Sequence, residues 1–471
     1  MKIDKRIVIV GGGPAGCAAA SYALKKGFQN VTLLEAAASL GGLHRDVEID
    51  GLHFDLGAFF FWNHHQVFSL FPGLREKMIH AGSSGHLSLS NDFNFDRYPI
   101  TLRGYVKEHG LVATICDLFK IAQYRAFRSE MACNNVEELL LYFMGPFYRK
   151  TGLDNYIQRL FHLHPKEIHI EFARKRVSGV IDKFRSKNVI KNMLKGNLAY
   201  FARYSAPQDV WARPESGFAA MYEYIAEAIR EAGGNVLCNH RVERINYREK
   251  YITMSDGSIV EYDYLLSSQP LQLTSKMTGI KLDALLNYQP LCSLFYESEE
   301  AILPGCFVLF NFSRKGKWKR VTFHSNYYNI EKGDDAPRRH YFVVESMPSK
   351  DEVVNPLLAK ELDSDFRGTF EKTKLQDAFK NISLKGHRIT ENGYPVFGKS
   401  FDRRKVDAFH EELLNLDIHN IGRQGEFDHV SSSDASKSAM NAIEGIWKKE
   451  EFAIHFLILT INHAQNPAHT I

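Results

Sequence analysis

The chain has 471 residues, 59 Lys and Arg against 55 Asp and Glu, a net charge of +4 at neutral pH, and 44% hydrophobic residues. That length predicts two domains or one large interleaved α/β unit. The charge balance gives no footing for nucleic acid, and no apolar run reaches the roughly 18 residues a membrane-spanning helix needs.

The N-terminal "MKIDKRIVIVGGG" is expected to be no signal peptide, because its apolar run is too short and no small-residue cleavage site follows. "RIVIV" reads as a buried parallel strand, and "CAAASYALKKG" as a helix of small residues closed by Gly27. "VTLLE" is a second strand ending at Glu35. Between the first strand and the helix stand Gly11, Gly13, Pro14, Ala15 and Gly16. This is the spacing of a dinucleotide-binding turn: one glycine makes the turn, one admits a pyrophosphate, and one lets helix and strand close on each other. Glu35, 19 residues after Gly16, is placed to accept both ribose hydroxyls of an adenosine and to repel a 2′-phosphate.

"DVEIDGLHFDLG" predicts a hairpin turning at Asp50-Gly51. Residues 63–205 read as mostly helical. "GFAAMYEYIAEAIREAGG" is an amphipathic helix, "NVLCNHRVERI" a strand, "YITMSDGSIVEYD" a second hairpin and "YLLSSQP" a short strand. Mixed strands and loops fill 271–406. "HNIGRQG" is a strand entering a turn, and "SDASKSAMNAIEGIWKK" a closing helix. "FAIHFLILTI" (Phe452–Ile461) reads as a core helix or strand, or as a membrane-surface contact.

The turn alone fits NAD as well as FAD. Gly41, Gly42 and Arg45 follow the acid in "EAAASLGGLHRD", and this order resembles the flavoprotein family that contains amine oxidases, protoporphyrinogen oxidases, phytoene desaturases and UDP-galactopyranose mutases. "RYPIT" (Arg97–Thr101), the block Val136–Gly179, "RVTFHSNYY" and "GYPVFG" are similar to segments of the mutase branch. The resemblance implies an FAD-binding, Rossmann-like doubly wound α/β domain in three segments, 1–60, 206–275 and 407–450. An α+β substrate domain, 61–205 and 276–406, is inserted between them, and 451–471 form a tail. It further implies that Ala36, Gly42, Leu43, Arg45, Leu56 and Gly57 join the turn glycines and Glu35 around FAD. In the same way it assigns the backbone of Val242 to the adenine, and Gly422, Arg423, Ser432 and Ser433 to the pyrophosphate and flavin. Two departures stand out. Phe59 occupies the place of the mutases' flavin-side histidine, and Phe323-His324 that of a glutamate.

The expected activity is therefore hydride transfer between a small organic substrate and flavin. The alternatives are a reduced-flavin sugar-nucleotide mutase and a non-catalytic FAD-binding scaffold. The substrate class is left as a nucleotide-sugar or another biosynthetic intermediate, and the oligomeric state is left open. Pocket candidates are Phe59, Trp62, Arg320 and Tyr328, with Arg176 and the tyrosines Tyr98, Tyr327 and Tyr394 behind them. No nucleophile–base signature is present, so the chemistry falls to the flavin. His64-His65 do not suit one metal, since adjacent side chains diverge on a helix or a strand, and no metal is expected. The cysteines at 17, 116, 133, 238, 292 and 306 form no CxxC pair and fit reduced thiols of a cytoplasmic protein.

Overall fold

The computed structural model of the protein describes residues 2–83, 85–98, 102–177, 181, 209–328 and 339–465. The first strand, Ile3–Val10, lies in the middle of a five-stranded parallel sheet. Its order is Asn235–Leu237, Phe28–Leu34, Ile3–Val10, Tyr264–Ser267, Ile418–Asn420. Alternate residues of that strand serve two cores: Ile7 and Ile9 face one, Val8 and Val10 the other. This explains why the strand reads as a continuous apolar run. The sheet joins strands from three separate stretches of the chain, as the resemblance implied.

The helix Pro14–Lys25 covers one face, and its Ala18, Ala19, Ala20 and Ala23 are buried. Small side chains let it lie close to both the sheet and the closing helix, Ser432–Gln465. That closing helix runs unbroken past position 451, and Phe452 on it is exposed.

A second sheet has seven strands in the order Ile382–Val396, Asn287–Ser298, His340–Ser346, Trp318–Thr322, Val308–Asn311, His86–Leu89, Phe95–Arg97. All its pairs are antiparallel except Val308–Asn311 with His86–Leu89. The hairpin Asp46–Ile49/Leu52–Asp55 turns where expected, with Asp50 and Gly51 both at positive φ, 52° and 75°. Two positive φ values in succession match the strand twist, hence Asp-Gly.

One reading is refined and one corrected. Among the described residues the stretch 63–205 is mostly helical, as read, but it also contains the strands Ile79–Ser83, His86–Leu89 and Phe95–Arg97. They are short, and their partners lie mostly far along the chain (Asp209–Ala212 and Val308–Asn311), so no local pattern announces them. "NVLCNHRVERI" is two strands rather than one, broken at Asn239 (φ 60°). Residues 99–101 of "RYPIT" and 178–179 of the helical block lie outside the described residues.

Candidate functional site

The first half of the site is a crevice at the carboxyl ends of the parallel strands, the usual ligand position in such sheets. Gly11 turns the chain at φ +100°, and a Cβ on Gly16 would collide with the Gly11 carbonyl oxygen. Only glycine lets the helix start this close to the strand. Gly41 N–H donates to Gly12 O at 2.9 Å, and a Cβ on Gly42 would lie 2.9 Å from Gly13 Cα. The two glycine turns therefore lie against each other beside the N-terminus of the helix, at Pro14 and Ala15.

Glu35 Oε2 accepts from Gly12 N–H and Oε1 from Ala37 N–H, both at 2.8 Å. These bonds fix the carboxylate at the crevice edge, with Ala36 between the two tethers. Asn239 N–H donates to Ala37 O and His240 N–H to Glu35 O, which brings the strand opened by Val242 alongside. Arg45 Nε donates to Gly42 O, and Leu56 N–H to Arg45 O, so Leu43 and the hairpin end at Leu56-Gly57 are tied to the same rim. On the far side Gly422, at φ +74°, comes so close that a Cβ would lie 2.6 Å from that of Ala15. Ser432 and Ser433 begin the closing helix there.

This cradle fits an adenine dinucleotide. Backbone approaches from two glycine turns, a helix start supplies N–H groups and positive dipole, and a held carboxylate stands just past the end of the second strand.

The second half is a cluster of charge beneath Gly57, where a Cβ would lie 3.2 Å from the carboxylate of Glu345. Glu345 is fully buried in the second sheet. On the neighbouring strand Trp318 pairs Ser346 and Arg320 pairs Glu345, leaving Lys319 as an extra residue. That β-bulge re-aims a side chain, so two adjacent cations reach one carboxylate where strict alternation would separate them. Lys319 Nζ lies 3.0 Å from Glu345 Oε2, and Arg320 binds the carboxylate through Nε and Nη2. Burial opposes ionisation of Glu345, yet Arg320 and Lys319 outweigh it and hold its pKa below the usual range.

Lys319 also donates to Tyr394 OH at 2.7 Å and lies over its ring. The ring of His429 stacks on Tyr394 at 5.0 Å, and the Arg423 guanidinium stands 5.5 Å from the same ring. Burial alone would raise the Tyr394 phenol, but Lys319, Arg320 and Arg423 lower it below the ordinary tyrosine value. His429 is held neutral, first by burial and then by the fields of Arg176, Arg423 and Lys319. Arg176 and Arg320 act on Arg423 and also on Tyr98 and Tyr156. Four cations thus converge on three tyrosines with Glu345 as the carboxylate among them. The nearby Asp428 is engaged by Lys175. Such an arrangement attracts an anion.

Arg176, Arg320, Arg423, Tyr98 and Tyr394, each nominated singly from sequence, are brought into this one neighbourhood. Lys319, Glu345, Tyr156 and His429 were not foreseen. Phe59 packs on His44 and Phe218, and Trp62 edges toward His86. Tyr328 is buried over Arg213, 4.7 Å away, beside the buried pair Arg213–Asp55. His65 is buried: Nδ1 accepts from Val67 N–H at a helix start, and Nε2 meets Ser432 Oγ at 3.0 Å. Through these two contacts it ties the rim to the closing helix.

Residues 9–74 match a family described as an NAD(P)-binding Rossmann-like domain. Across its length the chain is similar in structure to reduced UDP-galactopyranose mutase, with 19% identity, coverage of 94% of each chain and a TM-score of 0.71. It is also similar to a provisionally assigned protoporphyrinogen oxidase from Exiguobacterium, at 18% identity, 95% and 100% coverage, and TM-score 0.66. A putrescine oxidase bound to putrescine matches at 16% identity, 95% and 99% coverage, and TM-score 0.58. The protein thus has a mixed α/β fold whose parallel sheet carries a Rossmann-like dinucleotide-binding motif. In particular, it has the fold shared by these oxidases and the mutase.

Proposed function

We propose that the protein is an FAD-dependent oxidoreductase that transfers hydride between a small anionic organic substrate and flavin. The observation that carries this reading is the junction at Gly57, where the dinucleotide cradle meets the cluster of Lys319, Arg320, Glu345, Tyr394 and Arg423. FAD, when bound, supplies the hydride-accepting centre. The chain's own residues bind and orient. The glycine turns and the helix start hold the pyrophosphate, and Glu35 holds the ribose. Arg176, Arg320 and Arg423 hold the substrate anion, while Tyr394, its phenol stabilised by Lys319, is placed to hold or move a proton. In this reading 1–60, 206–275 and 407–450 are the cofactor domain, 61–205 and 276–406 the substrate domain, and the setting is cytoplasmic.

A sugar-nucleotide mutase is the second reading, favoured by the convergence of three arginines suited to a diphosphate. Phe59, in the place of the mutases' flavin-side histidine, disfavours it. The test begins with the purified protein: flavin absorbance is expected, and Glu35→Ala should weaken FAD binding roughly tenfold through loss of charge-assisted hydrogen bonds. Colourless protein that takes up no added FAD would end both flavin readings. Anaerobic bleaching of the flavin by a substrate supports the oxidoreductase. Turnover of a nucleotide-sugar only after dithionite reduction, without net redox change, would transfer the assignment to the mutase.

A further inference from the structure

The helix Leu111–Phe127 is built inside out. Its inward face carries Thr114, Asp117 and Ile121. Two of these three are polar, and Asp117 is satisfied by Tyr105 OH at 2.7 Å and Lys150 Nζ at 2.6 Å. Its outward face carries Leu111, Val112, Ile115, Leu118 and Phe119, all exposed, with Val112 at 76% and Phe119 at 71%. At 100° per residue these five fall in an arc of about 120°, and the exposed Ala122 and Ala126 lie in the same arc. At the end of the helix and past it, Phe127 and Met131 are exposed at 83% and 84%. Single exposed apolar residues need no explanation, but a continuous stripe on one helix does.

Along the helix itself the exposed charge has one sign. Asp117, the one carboxylate between 111 and 127, is buried 3.9 Å from Lys120 Nζ, whereas Lys120 and Arg128 are exposed on the two flanks of the helix; the half-buried Glu130 follows beyond its end, beside Met131. Arg128 lies over the Tyr124 ring at 5.3 Å, which keeps its cation at the helix end. An apolar arc bordered by Lys and Arg matches the level of lipid phosphates and acyl chains at a bilayer surface. A second copy docked face to face would instead oppose two basic rims. Among the described residues no helix is long and apolar enough to cross a membrane, so the contact is peripheral.

We propose that the helix Leu111–Phe127 docks this protein on an anionic lipid bilayer, lying in the interfacial plane with Leu111, Ile115, Leu118 and Phe119 in the acyl boundary. This stands independently of the cofactor assignment. The full chain is mixed with vesicles of phosphatidylcholine alone or of equimolar phosphatidylcholine and phosphatidylglycerol, and bound protein is separated by flotation. Strong, salt-sensitive partitioning to the anionic vesicles is expected. Leu118→Ser with Phe119→Ser should weaken it roughly tenfold or more, as should Lys120→Glu with Arg128→Glu. All four side chains are exposed, and unchanged melting temperatures verify that the variants fold. In a Phe119→Trp protein, tryptophan emission should shift to the blue on anionic vesicles relative to wild type. Folded wild-type protein that ignores anionic vesicles overturns the proposal. So does vesicle binding that leaves both the emission of the Phe119→Trp protein and the partitioning of the serine variant unchanged. A dimer dissolved by the serine variant, without lipid binding, would assign the face to a second copy; capture of an acidic protein without lipid binding would assign it to that partner.

Discussion

Glu345 is the residue on which the charge cluster turns. Its carboxylate faces Lys319 and Arg320 in a fully buried setting, and breaking such a pair leaves cations without compensation. Glu345→Gln should therefore cost roughly 3–5 kcal/mol in urea unfolding. Adding Lys319→Met should return part of that loss, because it removes one orphaned cation. A single-variant cost near zero would mean that the carboxylate does not hold the cluster together. A signal for Glu345 was present in the sequence as a lone acid in the apolar run "YFVVESM". Lys319 had no such signal. In a regular strand Lys319 and Arg320 point to opposite faces, and only the bulge, set by pairing with a strand some 25 residues away, turns both to one partner. The arginines were legible one at a time; their convergence depends on tertiary packing of segments far apart in the chain.

Among the elements, the first strand, its glycine turn and the helix after it were legible in kind and order, with both elements starting about three residues earlier than read, because local chemistry dictates them. The same chemistry predicts their failure. A Cβ on Gly16 would collide with backbone, not with a movable side chain, so Gly16→Ala should destabilise the protein by about 2–4 kcal/mol and widen the helix–strand seam. Gly51→Ala is the contrast. Gly51, unlike Gly16, sits at positive φ, but nothing lies within 4 Å of its Cβ position, so its cost should be only about 1 kcal/mol. Thermal unfolding of the two variants checks the order, and equal losses would remove the close-approach argument. Where elements are fixed by distant partners, the sequence is mute. Ile79–Ser83 and His86–Leu89 are strands because Asp209–Ala212 and Val308–Asn311 accept them, not because of their own periodicity.

At the scale of the whole molecule, the interior carries several neutral histidines, and this sets a pH dependence. Burial lowers His44 to about 3 and His65, His86 and His419 to about 4. Their folded pKa values thus lie below the ordinary histidine value, so the unfolded chain takes up protons that the folded chain refuses. Their contribution is intact above about pH 6.5 and is lost as pH falls below it. Between pH 7 and pH 5 each costs roughly 1–2 kcal/mol, and four together approach the whole stability of a typical domain. The denaturation midpoint should fall steeply across this interval, before the carboxylates titrate. His65 allows the cause to be isolated, because His65→Asn keeps an acceptor for Val67 N–H at the helix start while removing the titrating ring. That variant should lose a little stability at pH 7 and show a shallower decline toward pH 5. A decline as steep as that of the wild type would place the acid sensitivity elsewhere. His65 joins the first third of the chain to Ser432 in the closing helix, so its protonation would loosen that contact.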